Sequence, residues 1–215
     1  MVQKTEYLQN PCETLATAYW KDKYFKKPAG FRIALESNLT GDNARLEKGT
    51  RYFRLIHHLS DCQKPLLPEG YAFKNVLLQG EAELVADTIN KCYDGYSQTV
   101  ESVLEWTKYP VFDNNIWIWA WDNIANVPAA LGIADFDSDI NEGSLEWIQV
   151  LPNYRGKGFG EAVTLELLFR FSKKADFVTV SGEVENITNP ERLYRKCGFT
   201  GEAVWIVSVN DVDTA

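Results

Sequence analysis

At 215 residues the chain modestly exceeds the roughly 150 residues of a typical domain, so one domain with an elaborated end is expected. A 45% hydrophobic, 13% aromatic and 24% charged composition excludes a disordered, collagenous or low-complexity chain. The formal charge of -8 is uneven: residues 1–60 carry 10 Lys/Arg against 6 Asp/Glu, which leaves 12 against 24, net -12, for residues 61–215. The larger part therefore repels nucleic-acid phosphates and attracts cations.

The start, MVQKTEYLQN, lacks the apolar run of a secretion signal. The stretch from Asn123 to Ala134 is free of ionisable side chains but falls far short of the ~20 apolar residues of a membrane span. Cys12, Cys62, Cys92 and Cys197 stand far apart without paired spacing, so reduced thiols in a cytoplasm are expected, with neither disulfides nor a zinc site.

Residues 1–60 are basic, aromatic and broken by Pro11, Pro28 and Gly30, with no sustained period until a candidate strand over Arg51–Leu59. They are read as an N-terminal extension that covers the acceptor side or mediates a homodimer, ahead of a domain over residues 61–215. LLPEGYAFKNVLL reads as a short pair of strands, and Leu84, Val85, Ile89 and Cys92 mark a helix over Glu81–Tyr93. A second helix is expected around Thr99–Tyr109. Ile116–Trp121, Ala129–Ala134 and Leu145–Val150 are apolar or alternating runs closed by turn residues, which predicts three strands in antiparallel hairpins.

After LPNYRGKGFG, residues Glu161–Lys174 are apolar nearly all round, the pattern of a heavily buried helix, opened by Glu161 and closed by Lys173 and Lys174. Phe177–Ser181 is a β-branched strand that completes a βαβ crossover. A short helix is then expected, with Thr188 and Glu191 at capping-box spacing, Pro190 in its first turn and Gly198 as its left-handed stop. Val204–Val209 is the closing strand. The fold class is α/β.

The most informative segment is Arg155-Gly156-Lys157-Gly158-Phe159-Gly160, set between a strand and a helix. Glycines let a backbone approach an anion closely, and a helix start offers unpaired N–H groups at the positive end of its dipole. A Mg-nucleotide P-loop fails because Gly158, not Ser or Thr, follows Gly156-Lys157. A dinucleotide fingerprint fails because Glu161 replaces its third glycine and Ser181 stands where the next strand should end in an acid.

Arginine, two residues, glycine, one residue, glycine after a strand ending in Val150 resembles the acetyl-coenzyme A pyrophosphate loop of the GCN5-related N-acetyltransferases, the GNAT family. Leu193-Tyr194-Arg195-Lys196-Cys197-Gly198-Phe199 resembles that family's LYxxxGF signature. The resemblance implies a mixed central sheet with flanking helices, splayed at Val150 to admit the pantetheine arm. It implies main-chain contacts from Ile148 and Val150 and pyrophosphate held by the amides of Arg155, Gly156, Lys157, Gly158, Phe159 and Gly160, with charge from the Arg155 and Lys157 side chains. The family's asparagine position is occupied by Ile187, so Asn186 or Asn189 is the candidate for the pantetheine amides.

A protonated amine must lose a proton before it attacks a thioester. Strict alternation places Glu146 on the face of Ile148 and Val150, which makes it the candidate base, with Glu142 in reserve. By the resemblance, Tyr194 donates to the departing thiolate. Cys197 has no histidine positioned in sequence to activate it, and His57 and His58 point opposite ways on a strand, so direct attack is expected without an acyl-cysteine. Asp135, Asp137, Asp139 and Glu146 match four positions of a calcium loop, but Ile140 replaces its glycine and strands replace its helices, so no metal is expected. Those carboxylates are expected to draw a cationic acceptor. Trp106, Trp117, Trp119 and Trp121 are read as core, with an aromatic acceptor wall as the lesser alternative.

The expected activity is acetyl-CoA-dependent N-acetylation of a small cationic amine. A noncatalytic acyl-CoA-binding module and a protein or peptide acetyltransferase are the alternatives.

Overall fold

The computed structural model describes residues 1–39, 49–93 and 97–209. In chain order it holds α1 (Lys4–Gln9), α2 (Pro11–Thr14), α3 (Tyr19–Tyr24), β1 (Phe31–Leu35), β2 (Thr50–His57), β3 (Tyr71–Asn75), α4 (Leu78–Cys92) and α5 (Val100–Trp106). These are followed by β4 (Trp117–Asp122), β5 (Val127–Asp137), β6 (Glu142–Val150), α6 (Phe159–Phe171), β7 (Phe177–Glu183), α7 (Pro190–Lys196) and β8 (Thr200–Val209). The class is α/β, as expected. No helix among the described residues is long and apolar enough to cross a membrane, and no disulfide joins the cysteines.

The chain forms two compact units, residues 1–57 with the chain from Thr179 onward, and His58–Val178. In the first, strands run in the order β1-β8-β2-β7. Both β1 and β2 pair antiparallel with β8, Ala34 opposite Ile206 and Phe53 opposite Val204, so the first 60 residues supply two strands of this sheet. Helix α2 docks through Cys12, which clusters with Ala16, Leu35, Ala203 and Trp205; the Trp205 Nε1–H donates to the Cys12 carbonyl at 2.8 Å. Buried Arg54 donates to the hydroxyls of Tyr7 at 2.8 Å, Ser181 at 3.0 Å and Thr179 at 3.2 Å. Three hydroxyls, one from α1 and two from β7, thereby offset the cost of burying its polar head.

In the second unit the order is β6-β5-β4-β3, all antiparallel. The expected strand pair around residue 71 is a single strand, β3, whose Tyr71 stands opposite Asp122 at the end of β4. Helix α4 buries Ala82, Val85, Ala86 and Ile89, the 3.6-residue stripe expected of a one-sided helix. Helix α5 is capped by Thr99 and Ser102, each side chain taking the other's backbone N–H, at 3.2 and 3.0 Å. Trp117 and Trp119 are wholly buried, so their alternation marks core.

Helix α6 covers the other face of this sheet. A Cβ built on Gly132 would lie 2.4 Å from Val163 Cγ1 and 3.0 Å from Leu167 Cδ1, so the glycine lets the helix approach the strand. Gly132→Ala is expected to lose about 1–2 kcal/mol, because overpacking outweighs the smaller gain in chain stiffness. Val163→Ala in the same chain should recover part of the loss, since the two sites share one space. Urea melts of both singles and the double check this; strictly additive effects would refute the contact.

Candidate active site

Strand β6 leads to the site and is not regular. Ile133 pairs with Trp147 and Ala134 with Leu145, so Glu146 is an extra, bulged residue. Ala130, Gly132 and Ala134 share one face of β5, and their partners Val150, Ile148 and Leu145 therefore share it too. The alternation that puts Glu146 on that face is corrected by the bulge. Glu146 accepts a hydrogen bond from the Ser144 hydroxyl at 3.0 Å, and Ser144 stands opposite Asp135 on the other face. Trp147 also takes that other face, stacked on Trp106 at 5.7 Å and edge-on to Tyr93 at 6.1 Å.

Most of the acidic hairpin is not a solvated loop. Asp135, Asp137 and the reserve base Glu142 are buried, Glu142 at 1% exposure opposite Asp137; only Asp139 is exposed. Asp137 accepts the Asp139 N–H at 3.0 Å, which closes the turn. Among the described residues no group of three or more His, Cys, Asp or Glu is arranged to hold a metal ion.

Past β6 the chain makes a tight turn over Pro152–Tyr154 and enters the glycine loop. Gly156 and Gly158 have φ of +74° and +85°, and a Cβ on either would meet nothing within 4 Å. The left-handed backbone demands glycine, and the space beside it is open. Gly158 is the N-cap of α6, no side chain caps that end, and the first helical bond runs from Ala162 N–H to the Gly158 carbonyl at 3.0 Å. The amides of Phe159 and Gly160 thus have no partner inside the helix. An anion with several oxygens fits this end by charge and by donor count.

Arg155 does something the sequence did not indicate. Its Nε donates to the Val150 carbonyl at 3.2 Å and its Nη2 to the Cys92 carbonyl at 3.3 Å. The guanidinium braces the loop against the ends of β6 and α4, and exposed Lys157 is the loop's outward charge. Burial pushes the Cys92 thiol up, against the pull of neighbouring Arg155, so it is protonated at neutral pH.

Both ends of the loop sit on a ring cluster. Tyr71 lies 4.8 Å from Phe159 and 6.3 Å from Tyr154, and Tyr154 lies 5.8 Å from Phe159. The Tyr154 hydroxyl donates to Asp122 Oδ2 at 2.9 Å, and Tyr71 stands opposite Asp122 in the β3–β4 pair. Asp122 Oδ1 takes the N–H groups of Ile124 and Ala125, each at 2.9 Å. The Ala125 amide is the largest influence holding the Asp122 carboxyl below its usual range. Burial, then the carboxylate, pushes Tyr154 up. Asp122 is therefore ionised and both phenols are neutral at physiological pH.

Tyr194, Asn186 and Asn189 belong to the other unit. Tyr194 is 7% exposed on α7, between Phe53 at 6.1 Å and Phe199 at 5.7 Å. The expected Thr188 cap is replaced by Asn189, whose φ is +47° and whose side chain accepts the Arg192 N–H at 3.3 Å. Asn186 Oδ1 accepts the N–H and hydroxyl of Thr188 at 2.9 and 2.7 Å. Both amide oxygens are engaged locally, which leaves the Nδ2 groups as the donors for a ligand; Ile187 is 99% exposed. Gly198, at φ +93°, follows the helix as expected. His57 lies tilted against Phe199 at 5.3 Å, and a Cβ on Gly198 would lie 2.9 Å from its Nε2. A histidine from β2 thus does adjoin the Cys197 segment, although Cys197 is 5% exposed.

Residues 113–201, which contain both the glycine loop and the Tyr194 segment, match the family model described as an acetyltransferase (GNAT) domain. That segment is similar to a GNAT acetyltransferase domain. No curated protein matches it in sequence. Its fold resembles a GCN5-related N-acetyltransferase from Sphaerobacter thermophilus, with TM-score 0.70 and 17% identity over 87% of this chain and 62% of that one. It also resembles a GCN5-related N-acetyltransferase from Kribbella flavida, with TM-score 0.56 and 16% identity over 82% and 66% of the two chains. At such identity the likeness is one of fold, and the chain spans about two thirds of the length of either structure. Within the matched residues, the bulged strand, the glycine loop and α6 fall in one unit and the Tyr194 helix in the other.

Proposed function

We propose that the protein is an N-acetyltransferase that moves an acetyl group from acetyl-coenzyme A to the primary amine of a small cationic molecule by direct attack. The observation that carries the donor side is the uncapped start of α6, with two left-handed glycines and open space beside them. The loop amides hold the pyrophosphate and Lys157 adds charge, while main-chain groups of Ile148 and Val150 take the pantetheine arm. An Asn186 or Asn189 side-chain N–H donates to its amides.

Glu146, turned out of the strand alternation by the bulge, takes the proton that the ammonium loses. The amine nitrogen bonds to the acetyl carbon, the C–S bond breaks as Tyr194 gives its proton to the departing thiolate, and the second proton that the nitrogen sheds passes through solvent to restore Tyr194. Buried Glu142 is poorly placed to exchange a proton with an amine. The reaction takes place in the cytoplasm, and no metal takes part in this scheme.

The test is thiol release from acetyl-coenzyme A against polyamines, aminoglycosides, amino acids and peptides. Turnover with a small amine supports the reading. Donor binding without turnover on any acceptor overturns it in favour of a binding module, and turnover on peptides alone makes the protein a peptide acetyltransferase.

The cationic preference rests on the net charge of -12 beyond residue 60 and on Asp139 and Glu146, the two hairpin carboxylates that are not fully buried. For the best amine, kcat/KM is expected to fall across a salt series as the field is screened beyond a Debye length of about 8 Å at physiological ionic strength. A flat response, or a neutral or anionic preferred acceptor, would remove this part of the proposal.

A further inference from the structure

Asp122 and Tyr154 are 32 positions apart and belong to no motif, yet they meet at the mouth of the glycine loop. We infer that Asp122, through the hydroxyl of Tyr154, is a positioning residue that holds the loop in its donor-binding shape. The inference rests on the reading of Arg155–Gly160 as the phosphate loop.

The loop leaves the Tyr154 turn and enters α6 at Phe159, so its shape depends on where these two residues are held. Phe159 is 2% exposed and is fixed by burial. Tyr154 is half-buried, and its sequence neighbours Pro152, Asn153 and Arg155 are exposed. The Tyr154 ring packs edge-on against Tyr71 and Phe159, and the hydroxyl's bond to Asp122 fixes where along that cluster the ring is held. The carboxylate is itself immobilised by the Ile124 and Ala125 amides and by its place opposite Tyr71. It ties the end of β4, the turn that follows it and the loop at one atom group. The Tyr154 ring also carries Lys157, whose Nζ lies 5.4 Å from its centroid.

A glycine-rich loop that is loosely held at one end samples many backbone shapes, and donor binding must then order it at a cost in affinity. Removing the anchor raises that cost without touching the donor, the acceptor or the reacting atoms.

The experiment compares wild type, Tyr154→Phe, Asp122→Asn and the double variant by calorimetry with coenzyme A and by kinetics, with thermal melts as a control for folding. Tyr154→Phe keeps the ring under Lys157 and removes only the hydroxyl. Its Kd for coenzyme A and its KM for acetyl-coenzyme A are expected to rise about fivefold to tenfold, with kcat and the acceptor KM unchanged. The double variant should be little worse than Asp122→Asn, as for partners in one contact. A merely structural pair would lower the melting temperature and leave the donor KM where it is, and that result overturns the inference. Should Asp122→Asn fail to fold, Tyr154→Phe decides alone. If wild type binds no coenzyme A, the phosphate-loop reading fails and this inference falls with it; if wild type binds and Tyr154→Phe binds equally well, only this inference falls.

Discussion

Tyr194→Phe is expected to lower kcat about 100-fold while affinity for acetyl-coenzyme A stays near wild type, the effect of losing one positioned general acid. The substitution is well suited to the site, because the ring packs between Phe53 and Phe199 and Phe fills the same space. Only the hydroxyl is lost. A coenzyme A thiolate, whose conjugate thiol titrates near an ordinary cysteine at ~8.5, leaves more readily when a phenol protonates it as the C–S bond breaks. Without that proton the burden passes to water. Stopped kinetics with saturating donor separate this from a binding defect, and a thermal melt shows whether the buried hydroxyl also matters for packing. An unchanged kcat would make Tyr194 a packing residue, and a raised donor KM with normal kcat would make it a binding residue.

Gly158→Val is expected to weaken coenzyme A binding by a factor of roughly 10 to 100 while the protein stays folded. The φ of Gly158 is +85°, a region that costs an ordinary residue about 1–2 kcal/mol and a β-branched one more. No neighbouring atom lies within 4 Å of a Cβ there, so the chain itself has room and the penalty is one of backbone conformation. Relaxing that strain turns the N-cap of α6 and redirects the amides of Phe159 and Gly160 away from a common point. Each 1.4 kcal/mol so lost is a tenfold change in Kd. Gly158→Asn should fall between glycine and valine, because Asn enters the left-handed region more readily. Titration calorimetry gives the ranking. Equal affinity for all three would show that the phosphates are held elsewhere.

The parts of this protein that were legible in the sequence are those with long periods. Strands β4, β5 and β6 appear as three apolar runs, and α6 as a helix apolar nearly all round, because each repeats its pattern several times before it ends. The strands nevertheless run further than those patterns, β5 to Asp137 and β6 from Glu142, since buried carboxylates break the apolar signal without breaking the ladder. Helices α1, α2 and α3 were not legible, being four to six residues long and too short to complete two turns of a stripe. The cap of α7 was misplaced by one residue, because Thr188 and Asn189 are both competent and only Asn189 tolerates the left-handed backbone found there.

By itself the sequence determined the α/β class, the glycine loop at a helix start and the Tyr194 segment, since each is written in consecutive residues or in a regular spacing. Tertiary structure alone decided the direction of Glu146, because a bulge is an accident of pairing that alternation within one strand does not encode. It alone turned Arg155 onto the carbonyls of Val150 and Cys92, the latter 63 residues away. And it alone brought Asp122 to Tyr154, since a hydrogen bond between residues far apart in the chain exists only once strand order and register have fixed where each side chain stands.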